Sequence, residues 1–225
     1  LLMVFVTVVY GLVLLVLSRS APRKRAARRR AVLKAAETTE GSTQLARPRM
    51  VILIPCLNEA EVIVASVKAL LASPAPDVHI LVIDDGSEDG TADLVESIGD
   101  PRVSVMRRVL PNARLGKGEA LNAALDLVRQ RYVTGSANDV VVGVDADGRL
   151  DPHAITEARI SFADPEVGAV QMGVRINNRR RSLLARMQDM EFVIFIEVFQ
   201  RGRRHLGSVG MGGNGQFVRL SALDA

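Results

Sequence analysis

Ile80-Leu81-Val82-Ile83-Asp84-Asp85-Gly86-Ser87 is the stretch that decides the fold. A wholly apolar, largely β-branched run ends abruptly in two carboxylates and a Gly-Ser turn. A short run of this kind, bounded by turn residues, has the composition of a strand buried on both faces, the usual strand of a parallel sheet. The pattern returns as Val140-Val141-Val142-Gly143-Val144 running into Asp145-Ala146-Asp147-Gly148. In open α/β sheets ligands bind in the crevice beyond the carboxyl ends of the strands. Carboxylates delivered there twice point to a site that handles charge, on a divalent metal or a nucleotide.

Working outward, strand and helix patterns alternate from Arg49 onward. Strands are expected over 50–54, 80–83, 102–106, 139–144 and 167–172. Helical spacing of apolar residues covers 60–71, about 89–98, 117–131 and 152–162, and a long helix is expected over 182–200. Asp100-Pro101 ends the second of these helices, and Ser87 or Asp89 can cap its start. Alternation at this spacing implies βαβ units and a mainly parallel sheet flanked by helices.

With 225 residues the chain can hold one substantial domain. Its first stretch, Leu1 to Leu17, is apolar apart from Thr7, Tyr10 and Gly11 and carries no charge. As a helix it would span about 26 Å, against about 30 Å of bilayer hydrocarbon. The first residue is not Met, so the stretch is expected to be the end of a longer transmembrane segment. Eight basic residues follow (Arg19 to Lys34) before the first acid, Glu37. A signal peptide would carry its charges ahead of the apolar run; basic residues after it favour a cytoplasmic flank and anionic lipid. The organisation expected is a truncated transmembrane helix over 1–18, a basic juxtamembrane linker over 19–48 and a folded domain over 49–225. It places the protein at the cell membrane, with the folded domain expected in the cytoplasm. Those eight cations exceed the net charge of +4, so the remainder is mildly acidic, which argues against nucleic acid as a partner. The single Cys56 excludes an internal disulfide.

An isolated Asp84-Asp85-Gly86-Ser87 would be a capped surface turn; its place at the end of a buried strand favours a ligand-facing role. Asp145 and Asp147, two apart on an extended chain, point to the same side and could both face one ligand. Hard divalent cations prefer such oxygen ligands. Asp-x-Asp-Gly is not a calcium loop here, because the further ligands of that motif are missing. Leu115-Gly116-Lys117-Gly118 puts a lysine between glycines at a helix start, a plausible diphosphate contact. It is not a P-loop: Pro111 stands where that motif needs its first glycine. Leu183, Leu184, Met187, Phe192, Ile194, Phe195, Val198 and Phe199, with arginines at both ends, suit either an amphipathic helix at a bilayer or a core helix with a charged edge.

Taken in order, Ile54-Pro55-Cys56-Leu57-Asn58-Glu59, then Val82 to Thr91, then Gly116-Lys117 with Ala120-Leu121-Asn122, then Asp145-Ala146-Asp147, resemble the family 2 glycosyltransferases of GT-A fold. The resemblance covers about residues 49 to 225, includes Gly213-Asn214-Gly215-Gln216-Phe217, and is nearest to the membrane-bound branch with cellulose-synthase-like and hyaluronan-synthase-like enzymes. It implies a nucleotide-diphospho-sugar transferase with a UDP-sugar donor, a carbohydrate or lipid acceptor and membrane lipids as partners. It implies that Pro55 and Glu59 lie beside the base and ribose, and that Asp84 or Asp85, preferably Asp85, hydrogen-bonds the base. Lys117 would approach the diphosphate and Asp145 the ribose or sugar. Asp147, with Asp145, would hold Mg²⁺ or Mn²⁺. Leu57 stands where the family often has an aromatic.

The family's catalytic base, an acid in a Thr-Glu-Asp-type motif, is expected beyond Ala225, so the chain is expected to be a fragment without it. Gly207 to Gly215 would form a loop near the acceptor. The reaction implied is metal-dependent, inverting sugar transfer, with polysaccharide synthesis as its setting. A tethered nucleotide-sugar-binding module without catalysis is one alternative. A nucleotidyltransferase is another, disfavoured because Pro55 to Glu59 lacks the glycine and cation of such enzymes' first loop.

Overall fold

The computed structural model describes residues 2–19, 48–73, 75, 77–132, 138–206 and 210–223. The linker expected over 19–48 lies outside them except at its two ends, as do residues 207–209 of the glycine-rich segment. The chain divides into two compact units. One is helical, from the N-terminal residues and Met172–Gly212; the other holds the sheet, through Gln171 and again from Gly213.

The sheet unit contains β1 (Met50–Cys56), α2 (Ile63–Leu71), β2 (Val78–Asp84), α3 (Thr91–Glu96), β3 (Val103–Arg107), α4 (Lys117–Arg131), β4 (Val140–Gly143), α5 (Ala154–Phe162), β5 (Ala169–Gln171) and β6 (Gln216–Arg219). Strand order is β3-β2-β1-β4-β6-β5. The pairs β1–β2, β1–β4 and β2–β3 are parallel, with Leu53 opposite Leu81 and Val51 opposite Val141. Strand β6 then runs antiparallel to both β4 and β5. The mainly parallel sheet expected from the sequence is therefore a mixed one. Strand β6 has only four residues behind a glycine-rich stretch, too short for a β pattern to register.

Strands β1, β2 and β4 are buried on both faces, as their composition requires, while β3 at the sheet's edge is only half-buried. Val51, Leu53, Leu81, Ile83 and Val141 pack with Ala120, Ala124 and Val128 of α4 in one cluster. On the opposite face Ile52 and Ile80 line a cavity of about 80 Å³ together with Leu70 of α2 and Ile155 of α5. Progress along the chain first adds β2 and β3 on one side of β1, then returns to place β4 on the other. This reversal between β1 and β4 is a topological switch point, where α/β sheets open a ligand crevice.

The helical unit comprises α1 (Leu2–Arg19), α6 (Leu183–Ile194), a π-helical turn over Phe195–Gln200 and α7 (Arg201–Arg204). The single long helix expected over 182–200 changes its hydrogen-bond register at Phe195, a local widening of the helix. Leu14 is fully buried, and a Cβ on Gly202 would lie 2.6 Å from its carbonyl oxygen. Glycine at 202 is what allows α1 and α7 to approach backbone to backbone. Helix α1 has 18 residues, about 27 Å at 1.5 Å per residue and short of a bilayer's hydrocarbon. Among the described residues no helix is long and apolar enough to cross a membrane. The transmembrane helix expected over 1–18 is corrected to that extent.

Candidate active site

Strands β1, β2 and β4 end side by side, and each contributes to one edge. In β1, half-buried Pro55 and buried Cys56 stand in register with Ile83 and Asp84 of β2. The loop after β1 is clasped to the loop after β2. Asn58, in the left-handed region at φ 57°, donates its N–H to Ser87 Oγ at 2.9 Å and accepts from the Glu88 N–H through Oδ1 at 2.9 Å. Glu59 donates its N–H to Thr91 Oγ1, and Ala60 donates to Asp89 Oδ2, both at 2.9 Å. The Thr91 hydroxyl bond and the Ala60 amide hold the Asp89 carboxyl below the usual carboxylate range. These clasps hold the half-buried Glu59 at the mouth of β1.

Asp84 and Asp85 are both buried, at 5% and 6% exposure. Asp84 accepts the Ser87 N–H at 3.3 Å, closing the turn that its sequence motif describes. Asp85 donates its own N–H to the Cys56 carbonyl at 2.9 Å, binding the ends of β1 and β2 together. Its carboxylate forms a buried ion pair with Arg108, whose guanidinium also donates to the Asn112 carbonyl. Arg108 was not singled out from the sequence. The signal was available in Arg107-Arg108 at the end of the third strand, a cation delivered to the same edge as the acids. Arg114 is a second such residue, donating to the Gly86 carbonyl and pairing with Glu88. Burial beside these acids pushes the Cys56 thiol up to about 12: loss of solvent acts first, then the charges of Asp84 and Glu59.

On the other side of β1, Lys117 begins α4 and Asp145 follows β4. Lys117 Nζ lies 2.5 Å from Asp145 Oδ1 and 3.5 Å from the Gly213 carbonyl. Asp145 donates its N–H to Asn214 Oδ1 at 3.3 Å. The Asn214 carbonyl accepts from Gln171 Nε2 at 2.8 Å, so Asn214 joins β4, β5 and β6 beside the acids. The Gly213–Phe217 phrase was legible as a motif, but this job for Asn214 was not. Gly148 closes the turn by donating to the Asp145 carbonyl at 2.8 Å; a Cβ there would sit 2.9 Å from that same oxygen.

The structure thus gathers all seven candidate residues at one edge: Pro55, Glu59, Asp84 and Asp85 toward β1 and β2, and Lys117, Asp145 and Asp147 around the end of β4. Asp147 is exposed. Among the described residues no group of three or more His, Cys, Asp or Glu side chains could hold a metal alone. Asp147 and Asp145 instead suit a hard cation that takes one or two carboxylates and completes its shell with phosphate oxygens and water. His79, with no metal-ligand spacing in the sequence, sits at the other end of the sheet. Its ring contacts Ser104 Oγ at 2.5 Å and lies 4.5 Å from the Tyr132 ring, and burial lowers its pKa.

The chain is 32% identical over 168 residues to an N-acetylglucosaminyltransferase of Mesorhizobium japonicum, covering 72% of this chain and 37% of that protein. It is 32% identical over 183 residues to a beta-monoglucosyldiacylglycerol synthase of Nostoc, covering 79% and 37%. A poly-beta-1,6-N-acetyl-D-glucosamine synthase of Staphylococcus aureus is 31% identical over 158 residues, covering 70% and 36%. The chain therefore spans little more than a third of these relatives' length. In fold it is similar to a mannosyltransferase from Pyrobaculum calidifontis solved with GDP-Man and Mn2+: TM-score 0.57 at 22% identity, over 92% of this chain and 56% of that one. The model of glycosyl transferase family 2 matches residues 51–224, and the chain belongs to that family.

Proposed function

We propose that the protein transfers a sugar from a nucleoside-diphosphate donor to a carbohydrate or lipid acceptor with inversion, using Mg²⁺ or Mn²⁺. The observation that carries this reading is the bracketing of β1 at the switch point. Buried Asp84 and Asp85 stand on one side, and the Lys117–Asp145 contact stands on the other.

The two sides suit two halves of one ligand. On the β2 side, Asp85 is oriented by Arg108 to accept a hydrogen bond from a base, with Asp84 alongside and Pro55 and Glu59 at the base and ribose. On the β4 side, Lys117 would supply positive charge for a diphosphate, and Asp145 would meet the ribose or sugar. Asp147, with Asp145, would hold the metal, which when bound offsets the negative charge that grows on the leaving diphosphate. Lys117 is held by Asp145 until a ligand arrives, so a diphosphate would meet a lysine already oriented. The acceptor hydroxyl would lose its proton to a positioned general base.

The relatives' names include N-acetylglucosaminyl and glucosyl transfer, which supports a UDP-hexose or UDP-hexosamine donor. The finer placement, in the membrane-bound branch and at the cytoplasmic side of the cell membrane, is supported by the apolar α1 and the basic residues that follow it. The test is to supply full-length protein with UDP-sugars and Mn²⁺ and measure UDP release. UDP release that stops on chelation is expected. Tight nucleotide-sugar binding without release would favour a binding module, and pyrophosphate release from UTP and a sugar phosphate would favour a nucleotidyltransferase.

A further inference from the structure

Helix α6 is built inside out. Its start is capped conventionally, Ser182 Oγ accepting the Ala185 N–H at 3.1 Å. Yet the residues it buries are Ala185 and Asp189, one small and one charged. Asp189 accepts the Ile176 N–H at 3.0 Å and lies 3.5 Å from Arg175 and 3.9 Å from Arg179, so a polar network occupies the inward face. Leu183, Met187, Met190 and Ile194, at helical spacing along one face, are instead between 44% and 74% exposed, with Leu184 and Phe195 beside them. A helix in water turns such a stripe toward the core. Helix α1 likewise leaves apolar side chains outward: Phe5, Val8, Leu12 and Val16 are exposed while Leu14 is buried.

Charge identifies the occupant. Between Met172 and Gly212 the sequence has eight arginines against three acids, with Arg179-Arg180-Arg181 just before α6 and Arg201 and Arg203 just after the π-helical turn. A second copy laid on this stripe would bring arginine clusters against arginine clusters in either direction. A bilayer with anionic headgroups accepts both features at once: apolar side chains enter the acyl boundary and the flanking guanidinium groups meet phosphates. We propose that the outward face of α6, together with α1, seats in an anionic phospholipid surface. The lipid contact is thereby inserted in the chain between β5 and β6, whose ends are joined by the Gln171–Asn214 hydrogen bond. This inference rests on the membrane placement proposed above and adds to it a second contact, independent of any spanning helix.

The 225-residue chain has no tryptophan, so single-tryptophan variants of it report on their own positions. Met187→Trp, Val9→Trp and, as a control on α3 of the sheet unit, Leu94→Trp are mixed with vesicles of phosphatidylglycerol and brominated phosphatidylcholine. Met187→Trp and Val9→Trp fluorescence is expected to fall by about half or more while Leu94→Trp is unchanged. Quenching of Val9→Trp without Met187→Trp overturns the α6 contact and leaves the membrane placement standing. No quenching of either overturns both. A blue shift of Met187→Trp without quenching, in protein that elutes as a dimer, overturns the lipid in favour of a second copy. Equal quenching of Met187→Trp in vesicles lacking phosphatidylglycerol overturns the role given to the arginines.

Discussion

Replacing Arg108 by methionine removes one partner of an ion pair whose side chains are only 7% and 9% exposed. The Asp85 carboxylate would be left buried without its counter-charge, and the Asn112 carbonyl would lose its donor. Breaking a buried pair in this way costs about 3–5 kcal/mol, a large share of a typical total stability of about 5–15 kcal/mol. At a urea dependence of about 2 kcal/mol per molar, the midpoint of unfolding should fall by about 2 M. Replacing both partners, as Arg108→Met with Asp85→Leu, removes the stranded charge and should return stability to within about 1 kcal/mol of the parent. On the base-binding role proposed for Asp85, the double variant should nevertheless fail to bind nucleotide. Urea titration followed by circular dichroism reads the stabilities, and calorimetric titration with UDP reads the binding. If Arg108→Met alone costs less than about 1 kcal/mol, the pair is not the buried, solvent-excluded contact on which this reasoning depends.

Three further outcomes follow from the same geometry. With its pKa near 12, the Cys56 thiol should be alkylated at pH 8 about a thousandfold more slowly than an ordinary cysteine, and at normal rates once urea unfolds the sheet; mass spectrometry of timed samples checks this. His79 has its pKa lowered by burial from 6.5, so its neutral form is the one the fold favours. Its contribution is complete above pH 6.5 and is lost as pH falls from there toward the folded-state value. The thermal midpoint of His79→Gln should therefore decline less steeply below pH 6.5 than that of the parent, and equal slopes would exclude the effect. Gly148→Ala places a Cβ 2.9 Å from the Asp145 carbonyl, which must move the turn carrying Asp145 and Asp147. It should cost about 1–3 kcal/mol in a thermal melt and weaken metal-dependent nucleotide binding more than its stability loss explains.

Much of the acidic sheet edge could be read from the sequence because its signal is local. An apolar strand that ends in acids, as at Ile80–Asp85 and Val140–Asp147, fixes both where the strand lies and which edge its carboxylates reach. What could not be read depends on distant residues meeting. Arg108 becomes the partner of Asp85 only once β3 is laid beside β2, and Asn214 reaches Asp145 only through the antiparallel return of β6. That return also made the sheet mixed, through a four-residue strand with no periodicity to announce it. For the helix over 182–200, composition left a lipid-facing and a core reading open. The burial of Ala185 and Asp189 and the exposure of the leucines and methionines decide in favour of an outward apolar face.

The central claim is that Asp147, with Asp145, holds a metal on the diphosphate of a nucleotide donor. Calorimetric titration of UDP in the presence of Mn²⁺ and in the presence of chelator tests it most directly. The parent protein should bind at least about tenfold more tightly with Mn²⁺, equivalent to about 1.4 kcal/mol. Asp147→Asn should lose that enhancement and keep the affinity measured in chelator. Full enhancement by Mn²⁺ in Asp147→Asn would contradict the assignment.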